Sequence, residues 1–163
     1  MGGKTGDFST ALRINADSDV IFPYLTEPDR IMRWMTGVVE VEKLDSNLDE
    51  KGDSLRNKTS RVVMINGKKI RFDDEVLRFE ENVALSVKSS NTSIVVTSIF
   101  QLEQSEPKNG QTDLTYRIKT DNRGIARILA PLRKNPVQGQ IEDDVRRLKM
   151  ILELEPGEDK DKS

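Results

Sequence analysis

The sequence predicts an α+β fold: a curved antiparallel sheet of seven strands wrapped around one long C-terminal helix, with two short helices between strands 1 and 2. Three observations carry this. Residues 8–14 alternate apolar and polar, and six further strand-like runs fall between residues 38 and 120. Residues 15–37 interrupt them with capping residues and prolines suited to short helices. Near the end, Val137, Ile141, Val145, Leu148 and Leu152 recur at steps of four, four, three and four, which aims one apolar stripe at a single surface. A sheet curved around a helix leaves a hollow between the two, and that hollow is the natural place for function.

Each element follows from local chemistry. In 8–14, Phe8, Thr10, Leu12 and Ile14 share one face. Asp17 or Asp19 is suited to cap a short helix to about Leu25, and Pro23 is tolerable near its start. Thr26 is expected to cap a second short helix carrying Ile31, Met32, Trp34 and Met35, which Gly37 ends. Strands are expected at 38–44, 55–65, 70–79, 83–89, 92–102 and 114–120. Asn66-Gly67 is the strongest hairpin signal among their connections, because both residues accept positive φ. Pro131 and Pro136 interrupt a helical lead-in from Gly124 before the long helix runs to about Glu155.

Composition narrows the function. The 163 residues suit one domain, 8–155, with disordered termini at 1–7 and 156–163. A charged fraction of 33% with a net charge of -2 leaves no basic footprint for nucleic acid and no polybasic membrane patch. Without cysteine there is no disulfide framework or thiol chemistry; without histidine the usual general base and commonest transition-metal ligand are missing. No cofactor and no metal site are therefore expected. The N-terminus lacks a signal-peptide core, Gly6 spoils a myristoylation pattern at Gly2, and no window is apolar enough to span a membrane. The expected location is cytoplasmic, without stable membrane insertion.

Alternation also identifies the inner wall. Val83, Leu85 and Val87 share a face, as do Ile94, Val96, Phe100 and Leu102, and Leu114, Tyr116 and Ile118. Arg71, Asp73, Glu75, Lys88, Arg117 and Lys119 belong to the solvated face. Candidate ligand-binding residues are the single tryptophan Trp34 and its neighbour Met35, the aromatic residues Phe72, Phe100 and Tyr116, and Leu85 and Ile118 on the sheet. Leu129 of the lead-in and Ile141 and Leu148 of the long helix complete this wall; core packing is the competing account of Trp34, Phe72, Phe100 and Tyr116. Tyr116 brings a hydroxyl that must find a partner if buried. Asp74 falls on the apolar side of its strand, after Ile70 and Phe72. A bulge at Asp73-Asp74 is expected to return it to solvent; if enclosed, it would pair with Arg61 or serve as an acid or base. Arg127, Arg133 and Lys134 near the expected mouth read as ordinary solvated charges.

Ile14-Asn15-Ala16-Asp17, Leu25-Thr26-Glu27-Pro28, Trp34, Gly52-Asp53, Glu75-Val76, Leu114-Thr115-Tyr116, Leu148-Lys149 and Glu153 occur in a telling order. In that order and spacing, over about residues 8–155, the chain resembles the START-like (SRPBCC) superfamily of helix-grip proteins. That group includes polyketide cyclase/dehydrase-like proteins and the birch-pollen allergen. The resemblance implies a cavity between the sheet and the gripped helix. It also implies that a small hydrophobic or amphipathic molecule (lipid, polyketide or quinone-like) is bound or carried there. Two alternatives remain at this point: a metal-free polyketide cyclase/dehydratase-type enzyme using Tyr116, Asp74 or Arg61, and a protein-interaction module whose cavity is filled. No catalytic residue is assigned, since no catalytic motif of the family maps onto this sequence.

Overall fold

β1 (Gly6–Ile14) and β2 (Val38–Lys43) lie at opposite edges of a single seven-stranded antiparallel sheet of order β1-β7-β6-β5-β4-β3-β2. The computed structural model describes residues 6–43, 58–65, 67–105, 109–120 and 136–154. β3 (Lys58–Ile65), β4 (Lys68–Glu80), β5 (Ala84–Ser90), β6 (Val95–Gln104) and β7 (Thr112–Thr120) follow as a meander, each paired with its predecessor. β7 then pairs with β1, so the short helices α1 (Ser18–Ile21), α2 (Pro23–Thr26) and α3 (Pro28–Trp34) carry the chain from one edge of the sheet to the other. The long helix α4 (Pro136–Leu154) packs across the sheet, touching β1 on one side and α3 on the other.

The stripe on α4 is the centre of the core. Val137, Ile141, Val145, Leu148 and Leu152 are all buried, and they pack against Ile14, Trp34, Phe100, Leu102 and Leu114. Polar contacts fix the helix from both flanks. On the β1 side, Lys149 Nζ donates to the Arg13 carbonyl at 2.8 Å, and Glu153 accepts from the Asn15 amide at 2.8 Å. On the α3 side, Arg147 donates to the Trp34 carbonyl at 2.9 Å. The outer sheet face carries Arg13–Asp113 and Arg117–Asp7 pairs, whose exposure leaves each worth little.

Several boundaries differ from the sequence reading, each for a local reason. β1 starts at Gly6, because Gly6 and Asp7 pair with Thr120 and Lys119 and Asp7 is held by Arg117. The first short helix is two: α1 closes with the Phe22 amide on the Ser18 carbonyl, and Pro23, which has no amide hydrogen, opens α2. Glu27 rather than Thr26 stands at the start of α3, since Thr26 is the last residue of α2 and its hydroxyl turns back to the Phe22 carbonyl. Asn91 Oδ1 accepts from the Ser93 and Ile94 amides, a side-chain turn that delays β6 to Val95. Val83 is nearly half exposed in the turn before β5 and leaves the inner wall to Ala84, Leu85 and Val87.

Gly37 ends the α3 segment with φ +82°, and a side chain there would meet the Met64 carbonyl at 2.8 Å. The lead-in to α4, with Leu129, Arg127, Arg133, Lys134 and Pro131, lies outside the described residues, as do Asn66 and both termini.

Leu148 is fully buried at the middle of the stripe. Leu148→Ala should lower stability by about 2–5 kcal/mol through lost contacts and the void left behind. A urea midpoint equal to wild type would show that this face of α4 does not carry the core.

Candidate functional site

The concave face of the sheet meets α4 closely over only part of its length. Where the two diverge there is a cavity of about 360 Å³, lined by the N-terminal half of the helix through Val137, Gln140, Ile141 and Asp144. The sheet contributes Val38, Val63, Phe72, Val96 and Ile118 as apolar wall, and the turn after α3 contributes Met35 and Thr36. Arg61, Ser89, Ser98 and Tyr116 bring polar groups to the same space. Strand alternation explains most of the set, because Arg61 and Val63, Val96 and Ser98, and Tyr116 and Ile118 stand two residues apart on one face; Met64, next to Val63, also borders the cavity.

Asp74 corrects the sequence reading. The β3–β4 register runs without a break from Lys58↔Glu75 to Ile65↔Lys68, and the irregularity in β4 comes later, between Val76 and Arg78. Asp74 therefore keeps its inward direction and is 3% exposed. Its Oδ2 accepts from Arg61 Nε at 2.5 Å, while Oδ1 is sealed with no hydrogen-bond partner. A buried polar oxygen left without a partner is costly, and the arginine that pairs with Asp74 lies in the cavity wall. Arg61 Nη1 faces the Met35 thioether at 3.3 Å, a weak acceptor, so the outer edge of the guanidinium can still donate to something better.

Tyr116 stacks on Phe100 with centroids 4.4 Å apart and meets the edge of Trp34 at 6.2 Å. Burial pushes its ionisation well above the usual phenol range; the negative charge of Asp144 acts in the same direction, against a hydrogen bond with Ser98 and the positive charge of Arg61. At neutral pH its hydroxyl is therefore a neutral donor and acceptor between two charged groups.

Asp144 was not singled out in the sequence, although the signal is present. It falls three residues after Ile141 and four before Leu148, inside the apolar stripe. The side chain is 4% exposed. Its Oδ1 accepts from the Thr36 hydroxyl at 2.5 Å, the Thr36 amide at 3.2 Å, Gln140 at 3.0 Å and Arg147 at 3.2 Å. Burial raises its pKa above the ordinary carboxylate value, opposed by these hydrogen bonds and by the Arg147 charge.

Of the residues proposed from sequence as a ligand wall, Met35, Phe72, Tyr116, Ile118 and Ile141 line the cavity. Trp34, Leu85, Phe100 and Leu148 instead lie in the packed core beside it, because they sit at the end where helix and sheet are in contact. Trp34 is fully buried and donates to the Tyr24 carbonyl at 2.8 Å, which explains why it plugs rather than lines. Leu129 lies outside the described residues.

A seven-stranded sheet packed on a C-terminal helix agrees with what comparison of the whole chain finds. The model of the family described as polyketide cyclase / dehydrase and lipid transport matches residues 5–153. The chain belongs to this family. No curated protein matches it. Among solved structures, a protein of Deinococcus radiodurans is similar at 16% identity and TM-score 0.65, covering 91% of this chain and 98% of that one. A protein of Nitrosomonas europaea is similar at 13% identity and TM-score 0.67, covering 93% and 96%. The di-domain ARO/CYC StfQ from the steffimycin biosynthetic pathway aligns at 12% identity and TM-score 0.69, over 95% of this chain and 53% of its own. At these identities the solved structures show a shared fold and no more. Among the described residues no helix is long and apolar enough to cross a membrane.

Two measurements test the electrostatics. Asp74→Ala should destabilise by about 3–5 kcal/mol by leaving the Arg61 charge unpaired, and the double variant Arg61→Met/Asp74→Leu should recover most of it. Equal urea midpoints for the single and double variants would contradict that pairing. A folded-state pKa above the unfolded one means that Asp144 favours folding more at low pH, a contribution lost as pH rises through the folded value. Wild type should therefore gain stability relative to Asp144→Asn as pH falls through the carboxylate range. A gap independent of pH would refute the shift.

Proposed function

We propose that this chain binds a small amphipathic molecule non-covalently in the hollow between α4 and the sheet, as a carrier or binding protein for a lipid- or polyketide-like compound. The observation that supports this best is the lining itself. A space of about 360 Å³ falls within the usual range for small-molecule sites, with apolar walls and a few convergent polar groups. Phe72, Val96, Ile118, Val137 and Ile141 supply the apolar contact, while Arg61 and Tyr116 supply orientation. An open hollow of this size also argues against a domain whose cavity is filled by its own side chains.

A second reading has its own support. The same polar groups converge where a polyketone would lie, and ARO/CYC proteins are among the structural neighbours. Under this reading the neutral Tyr116 hydroxyl and the Arg61 guanidinium would polarise a carbonyl during a metal-free cyclisation or dehydration. Turnover separates the two: a carrier returns its ligand unchanged, whereas a cyclase converts a polyketone probe and loses kcat on Tyr116→Phe.

Native mass spectrometry of freshly purified protein should find a co-purifying small molecule, and a panel of lipophiles should bind with stoichiometry near one. At a hundredfold excess over Kd the bound state should be about 2.7 kcal/mol more stable. Trp34 fluorescence should respond through its edge contact with Tyr116. Val63→Phe, which narrows the hollow from the sheet side, should weaken binding without unfolding the protein. Absence of any thermal shift across the panel would dismiss the binding reading.

A further inference from the structure

The oxygens of Asp144 are used unequally, and this bears on which ligand the hollow accepts. All four hydrogen bonds to the carboxylate end on Oδ1: the Thr36 amide and hydroxyl, Gln140 and Arg147. Among the described residues none reaches Oδ2. Yet Asp144 is 4% exposed and stands in the cavity wall, and Oδ2 is not a sealed orphan as Asp74 Oδ1 is. An unpartnered oxygen of a buried carboxylate in the cavity wall is an acceptor waiting for a donor.

The opposite wall restricts the rest of the ligand. Arg61 would attract a carboxylate if it stood alone, but Asp74 binds its Nε at 2.5 Å and offsets its charge. Asp144 shares the same cavity, and both groups act electrostatically on the Tyr116 hydroxyl. Among the described residues, an anionic ligand head at Arg61 would thus meet a cation whose charge Asp74 already offsets, with the Asp144 carboxylate in the same cavity wall. Arg147, the cation paired with Asp144, has a side chain 45% exposed, so solvent weakens its effect on the interior. A neutral head that donates to Asp144 and accepts from Arg61 or Tyr116 meets no such opposition.

We propose that Asp144 Oδ2 is a ligand-anchoring acceptor, and that with the Arg61–Asp74 pair it makes the hollow select neutral, hydroxyl-bearing amphiphiles over carboxylates and over their capped ethers. The proposal rests on the binding reading above and adds to it the functional group that is recognised.

Three probes of one shape test it on the whole protein at neutral pH: β-naphthol, its methyl ether and β-naphthoate, measured by titration calorimetry. Wild type should bind the naphthol about tenfold or more tightly than the ether, as expected for a hydrogen bond to a charged acceptor, and tighter still than the naphthoate. Asp144→Asn should do more than weaken this order. The Thr36 amide and Arg147 can only donate, so the amide oxygen of the variant must take the Oδ1 place and its NH₂ the Oδ2 place. An acceptor facing the hollow becomes a donor, so the naphthol should lose its advantage and the naphthoate should gain affinity. If the ether matches the naphthol in wild type, or the order survives Asp144→Asn, the anchor is refuted while the binding reading stands. If none of the three binds, both fall. Should the variant not fold, the wild-type order decides alone.

Discussion

Burial of the apolar stripe of α4 is the interaction on which the remaining structure depends. The sheet has one greasy face and cannot keep it in water, and the helix is its only long cover among the described residues. One helix is narrower than a seven-stranded sheet, so complete cover is impossible. At the Val145–Leu152 end, contact is closed by Ile14, Trp34, Phe100, Leu102 and Leu114. At the Val137–Asp144 end it is not, and the hollow results. The cavity is the geometric remainder of the way the core is covered.

The boundary between the two ends is an aromatic cluster. Trp34, Phe100 and Tyr116 contact one another, two pairs edge to face and one stacked. Along β6 the inward residues pass from Val96 and Ser98 at the hollow to Phe100 and Leu102 in the core. Along β7 they pass from Ile118 and Tyr116 to Leu114 and Thr112. Tyr116 belongs to both, with its ring in the core and its hydroxyl among the polar groups of the site. A single strand thus supplies stability at one end and recognition at the other, with no change in its alternating pattern.

Polar groups enter this interior only with support. Asp74 is held by Arg61 from the neighbouring strand, and Asp144 by the turn between α3 and β2. The second arrangement also fixes the helix to the rim of the cavity, since Arg147 bridges Asp144, Thr36 and the Trp34 carbonyl. The charges that hold the walls together therefore also face the ligand space. Such groups cost stability unless fully satisfied, and the sealed Asp74 Oδ1 is one place where this chain accepts that cost.

The sequence by itself determined the seven strands, the long helix and the stripe that joins them. All of these follow from periodicity, which is a local property read from neighbouring residues. It also placed Phe72, Tyr116, Ile118 and Ile141 on inward faces, and offered Arg61 as a partner of Asp74 only in the event that Asp74 was enclosed. Only the tertiary structure decided which inward residues line space and which fill it. Leu85, Phe100 and Leu148 follow the same alternation or helical spacing as the lining residues, yet they are packed in the core and do not border the cavity. The direction of Asp74 depended on where β4 slips against β5, at Val76 and Arg78 rather than at Asp73, and that is a property of two strands in register. The role of Asp144 depended on the turn at Thr36, more than a hundred residues away in the chain. Periodicity assigns a side chain to a face; what stands opposite that face is decided when distant segments pack.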